Sequence, residues 1–217
     1  MNIVSLKAKL ELFPYYTKQN LSLSLGNNGE NLNYWIKKLL KQNILIPLKK
    51  GLYVSSFYLD KVKERKQTES YLEYLASVIR FPSYVSLEYA LSKYGIIPEA
   101  VYTITSVSQK TTRDYKSPIT SFSYRTLKES LYTGFAKKIY LNNTYQIATP
   151  SKALFDYLYL KPFIDAKEIN QFLLNTGRIN WQILDLKAKQ QFHYYVEQSG
   201  SKKMKTIFSF LKSHFLL

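Results

Sequence analysis

Residues 30–54, ENLNYWIKKLLKQNILIPLKKGLYV, constrain the fold more than any other part of the chain. At about 100° per residue, Leu32, Trp35, Ile36, Leu39 and Leu40 fall on one arc. Asn31, Asn33, Tyr34, Lys37, Lys38 and Lys41 fall on the other. That pattern predicts an amphipathic helix over 30–42 with an apolar face for its own core and an amide- and lysine-rich face for something else. Ile44–Leu48 and Leu52–Val54 then flank Lys49-Lys50-Gly51, a strand, a turn and a strand with glycine at the tight position.

The residues before it complete a unit. A helix is expected over 3–12, offering Val4, Leu6, Leu10 and Leu12 to a core, with Pro14 ending it. Thr17 can cap a second helix holding Leu21 and Leu25. Gly26-Asn27-Asn28-Gly29 reads as a turn, because Gly and Asn tolerate positive φ. Helix, helix, turn, helix and two-stranded wing is the order of a winged helix-turn-helix, whose third helix enters the DNA major groove. Residues 1–56 are therefore expected to form a winged helix-turn-helix DNA-binding domain. Its length of about 60 residues is marginal for folding alone but sufficient.

Charge points the same way. The chain carries 31 Lys+Arg against 15 Asp+Glu, a formal charge of +16. Residues 1–56 hold eight Lys and two Glu. An AT-rich coding bias would raise Lys, but it would raise the acids too, and they stay scarce. A surface this basic attracts polyanions, with nucleic acid the default partner. In the expected docking, Asn33 pairs with an adenine edge, and Asn31 does the same or contacts backbone. Tyr34, Lys37, Lys38 and Lys41 bond phosphates, which position without reading sequence. Lys49 and Lys50 add charge at the wing. Taken singly, a lysine-rich helix face is usually a solvated face and KKG a common hairpin tip. Their combination in winged-helix order carries the reading.

Residues 57–67 are polar and charged and read as a linker, across which few apolar contacts should pass. Residues 68–217 read as a mixed α+β domain ending in helices, so the fold class is α+β. Helices are expected over 68–79 and from Ser86 to Gly95, and strands from Val101 to about Ile147. KKIYL-NN-TYQIA forms a hairpin turning at Asn142-Asn143. Thr149-Pro150 opens a further helix as N-cap and first-turn proline.

Several functions find no support. The chain has no cysteine, hence no disulfide framework or thiolate metal site. His193 and His214 are its only histidines, and no H-E-x-x-H or phosphate-loop motif occurs. No catalytic, cofactor or metal site is expected, although distant carboxylates could still converge. The 20 Tyr and 12 Phe could offer stacking platforms to single strands, but their periodic positions favour a core. No apolar run approaches the ~18 residues of a membrane span, and the start lacks a signal-peptide pattern, so a cytoplasmic protein is expected.

Two segments carry a family likeness: PSYVSLEYALSKYGIIPEAVYTITSV (82–107) and TYQIATPSKALFDYLYLKP (144–162). Both resemble the AbiEi-type antitoxins of bacterial abortive-infection toxin–antitoxin systems, as do their spacing and the basic GLYV hairpin upstream. The resemblance implies a winged-helix domain that represses its own operon through an operator in double-stranded DNA. It also implies a second domain that opposes a nucleotidyltransferase-type toxin without a stable complex. The alternative is a winged-helix regulator whose second domain binds another protein or RNA and has no antitoxin role. Within the motifs, Ser86 is expected to cap a helix, with Leu87, Ala90, Leu91 and Tyr94 as its buried stripe. Glu88, Glu99 and Asp156 are expected to meet Lys or Arg internally rather than a partner. Residues from about Phe163 resemble nothing placed, and the oligomeric state is open.

Overall fold

A computed structural model describes residues 2–214 of the chain. The class is α+β: among those residues, ten α-helices accompany two sheets.

The first helices form where the caps lie. Asn2 and Thr17 accept the N–H groups of Val4 and Asn20, opening α1 (Ile3–Leu10) and α2 (Lys18–Leu25). Gly26, at φ 67°, ends α2, and α3 follows over Gly29–Lys41. Strand β1 (Tyr16–Thr17) joins the hairpin β2 (Leu45–Lys49) and β3 (Leu52–Ser55) in the order β1-β3-β2. Leu6, Leu10, Leu21, Leu25, Leu32, Ile36 and Leu39 pack into one apolar cluster beneath the helices. Val4 and Leu12, expected there, are exposed: α1 turns only its Leu6–Leu10 stripe inward, and Leu12 lies beyond its end at Leu10.

The expected linker is a helix. Ser55 accepts the N–H of Phe57 and opens α4 (Ser56–Glu64). Tyr58, Leu59 and Val62 are buried, while Asp60, Lys63 and Glu64 face outward. The charged residues that suggested a linker are one face of an amphipathic helix. The apolar spacing 58, 59, 62 under a serine cap was the signal for it. Helix α5 (Thr68–Ile79) follows.

The second sheet is six-stranded, in the order β6-β7-β5-β4-β9-β8. Its strands are β4 (Ser83–Val85), β5 (Ile104–Ser108), β6 (Arg113–Lys116), β7 (Ser121–Thr126), β8 (Phe135–Tyr140) and β9 (Asn143–Ala148). Strands β5 and β7 pair in parallel, with Thr105 beside Ser123. The β8–β9 hairpin closes on the pair Tyr140–Asn143, so it turns at Leu141-Asn142, one residue before the expected site, with Leu141 at φ 50°. On one face lies α5. On the other lie α6 (Leu87–Lys93) and α7 (Pro150–Leu160), backed by α8 (Ala166–Gln171), α9 (Leu186–Ser199) and α10 (Lys202–Ser213). No helix among the described residues is long and apolar enough to cross a membrane.

One apolar cluster runs across the expected boundary. Leu48, Leu52 and Val54 of the hairpin share it with Tyr58 and Val62 of α4, Tyr71 and Tyr74 of α5, and Tyr124 of β7. Tyr71 donates to the Pro14 carbonyl at 2.5 Å, and Ser117 to that of Pro47 at 2.7 Å. The expectation that few apolar contacts cross 57–67 is thereby corrected. The physical reason is that the hairpin's inner face is apolar and is covered by the tyrosines of α4 and α5.

Candidate functional site

Helix α3 presents the expected residues on one outward face. Asn31, Asn33, Tyr34, Lys37, Lys38 and Lys41 are all exposed. Leu32, Ile36 and Leu39 are buried on the opposite side, with Trp35 and Leu40 half-buried at its border. Asn31 donates to Asn27 Oδ1 at 2.6 Å, which anchors its amide nitrogen. Lys38 lies 4.7 Å from the Trp35 ring centroid, so its stem is laid along the helix. Among the described residues, none of Lys37, Lys38, Lys41, Lys49 and Lys50 forms an ion pair. This face therefore carries a positive excess that no ion pair offsets, with Glu30 its one acid.

The two lysines of the β2–β3 turn part company. Lys50 is exposed at the tip beside Gly51, whose φ of 78° makes the turn. Lys49 points the other way: its amine donates to the Ile79 carbonyl at the end of α5, at 2.5 Å. The cause is a bulge. Pairing runs from Pro47–Tyr53 directly to Lys49–Leu52, so Leu48 is extra and turns into the core. Its charge thereby complements the carbonyl end of α5 rather than standing free at the hairpin tip.

The two motif segments meet at a second place, on Asp156. This carboxylate and Lys152, one turn earlier on α7, are fully buried and paired. Tyr84 and Ser86 each donate to Asp156 Oδ2 at 2.8 Å. Lys152 lies 4.9 Å from the Phe155 ring and 5.5 Å from that of Tyr195. Gly134 closes the site: a Cβ there would come within 2.9 Å of Lys152 Cγ. Burial pushes the Asp156 carboxyl up and the Lys152 amine down, while each partner's charge resists the change. With no solvent access, the pair can fasten β4 to α7 but cannot meet a substrate. Ser86 stands before the first turn of α6 but does not cap it, because its hydroxyl is spent on Asp156.

The other motif acids separate in role. Glu99 pairs with Arg178 at 3.1 Å. Glu88 forms no ion pair among the described residues and lines a cleft of about 670 Å³. Sequence reasoning missed this cleft, which is built from α6, β5, β7 and the end of α7. His193 is half-exposed and stacks on Phe208, with ring centroids 4.3 Å apart. The chain matches no protein-family model and no curated protein.

Proposed function

We propose that this chain is a DNA-binding transcriptional autoregulator and the antitoxin of an AbiE-like, type IV toxin–antitoxin system. It acts in the cytoplasm on double-stranded DNA, without cofactor or catalysis. The order α1, α2, α3 and the β2–β3 wing supports a winged helix-turn-helix reading of the first 56 residues. The observation that carries the DNA reading is the exposed, unpaired lysines on the outward face of α3, with Lys50 exposed at the hairpin tip. Asn33 reads a base edge, Lys37, Lys38, Lys41 and Lys50 meet phosphates, and Tyr34 donates to the backbone. Asn31, tied to Asn27, keeps its carbonyl oxygen for the DNA.

Fluorescence anisotropy with a duplex from upstream of the chain's own gene, against a scrambled duplex, tests this half. Specific binding at least ~10³-fold tighter than non-specific supports it; equal affinity for both sequences rejects operator recognition. The antitoxin half rests on the resemblance of 82–107 and 144–162. Co-expression with a nucleotidyltransferase encoded beside the gene tests it separately, with rescue of growth as the readout.

A further inference from the structure

The 670 Å³ cleft takes no part in the α3 face, and its walls have an unusual composition. Its floor is bare sheet: Thr105 of β5, and Ser123 and Arg125 of β7, on the face where α6 packs on β5 and α7 on β9. Their neighbours Phe122 and Tyr124 point to the opposite face, into the core under α5. A sheet face covered by helices is normally apolar, yet here hydroxyls and a guanidinium line an opening of ligand size.

Two cations converge there with valence to spare. Arg125 donates through Nη1 to Asp114 at 3.0 Å, and its other N–H groups make no hydrogen bond to the described residues. Lys161 has no acidic partner among them. Lys161 lines the cleft, and its amine sits 5.9 Å from the ring of Tyr157, which lines it too, and 4.6 Å from that of Phe172. Tyr102, 84% exposed, and Tyr157 supply aromatic surface to the same cleft. Glu88 supplies one unpaired acceptor.

The cleft edge is also strained. Leu87 is buried at φ 60°, a conformation that costs a large side chain about 1–3 kcal/mol. Thr105 enforces it: its hydroxyl donates to the Ser86 carbonyl at 2.6 Å and accepts the Tyr89 N–H at 3.0 Å. This clamp, seated on Asp156 through Ser86, fixes where Glu88 enters the cleft. Backbone strain persists only where the surroundings over-determine it, and such places cluster at ligand clamps.

We propose that this cleft binds a single nucleotide, either free or as the phosphorylated end of a single strand. Arg125 and Lys161 take the phosphate, Tyr102 and Tyr157 offer faces for the base, and Glu88 accepts an N–H or O–H of the base or sugar. Cations alone would suit any anion; adjacent aromatics and an acceptor select a nucleotide.

Calorimetric titration of the full chain tests it, using the four ribonucleoside 5′-monophosphates, inorganic phosphate and the parent nucleosides at fixed ionic strength. The expected result is one site for at least one nucleotide, bound tenfold or more tighter than phosphate and than its nucleoside. Arg125→Met and Lys161→Met each weaken it tenfold or more with unchanged thermal midpoints, and Glu88→Gln reduces the preference over phosphate. Lys187→Met, at an exposed lysine of α9, leaves it unchanged. Affinity no better than for phosphate, or equal weakening by Lys187→Met, means charge attraction by a basic protein and overturns the proposal. So does displacement of the nucleotide by duplex DNA, which would place it on the α3 face. A 5′-phosphorylated RNA pentamer then divides the sources: tighter competitive binding assigns the end of a strand, and weaker binding assigns the free nucleotide. Both results require the same site.

Discussion

The α3 face and the Asp156 node use the same residue types in opposite ways. On α3, lysines stand in water and form no ion pair among the described residues. At the node, Lys152 and Asp156 are sealed from water and spend their charges on one another. Glu73, 1% exposed, is likewise bonded within the protein, by Tyr89, Tyr145 and the partly exposed Lys93. A buried charge is tolerable only when its bonds are closed within the protein, so the node is architecture. An exposed run of like charge adds little to stability, so the α3 face is free to serve binding.

The largest expected effect comes from the buried tyrosines. Desolvation raises the pKa of Tyr71, Tyr84, Tyr89 and Tyr124 above the ordinary value, and pushes Tyr74 and Tyr132 up to about 12. The folded state thus holds phenolic protons that the unfolded chain releases. That stability is fully present below about pH 10 and is lost as pH rises through the folded values. Circular dichroism and tyrosinate absorbance followed from pH 9 to about 12.5 should show one cooperative transition. Gradual ionisation with the fold intact would remove the contrast between a sealed interior and an open face.

Next in size is the node. Asp156→Ala leaves Lys152 buried without a partner and the Tyr84 and Ser86 hydroxyls without an acceptor, a loss of about 3–5 kcal/mol. Replacing both members, with Lys152→Met and Asp156→Leu, should recover much of it. Urea unfolding of the single and double variants measures this. A cost below ~1 kcal/mol for the single change would show the pair to be solvated.

The seam is tested by Leu48→Ala, expected to cost about 2–5 kcal/mol because Leu48 sits in the cluster shared by hairpin and α5. For the same reason a fragment ending at Lys66, expected from sequence to fold alone, should show no cooperative unfolding. A stable, operator-binding fragment would restore the independent unit.

Smallest are the changes on the face proposed to meet DNA. Asn33→Ala should cost about 1–3 kcal/mol on operator and little on scrambled DNA. Lys50→Ala should lower the salt slope by about 0.9, as for one phosphate contact, whereas Lys49→Ala should leave the slope alone and lower stability. Equal slopes for the two would undo their separation.

Much of this was legible in the sequence. The periodicity of α3, the Thr17 and Thr149 caps and the β8–β9 hairpin follow from local rules, and the structure has them within a residue or so. What was not legible depends on distant partners. The Leu48 bulge that redirects Lys49 is invisible without knowing that the Ile79 carbonyl lies beneath it. The Ser86 hydroxyl looked like a cap because Asp156 is 70 residues away. The cleft lies between α6, β5, β7 and the end of α7, a property of packing that no stretch of residues encodes by itself.

The tyrosine-lined seam also bears on how such a chain can change over generations. A DNA-reading unit joined by a loose tether can be exchanged between proteins like a cassette, altering the target while leaving the rest untouched. Here a crossover near residue 56 would remove Leu48, Leu52 and Val54 and bare the tyrosines of α4 and α5 that cover them. Under the proposed function, new target specificity is therefore easier to reach by substitution on the outer face of α3, where Asn33, Lys37 and Lys41 are exposed, than by recombination.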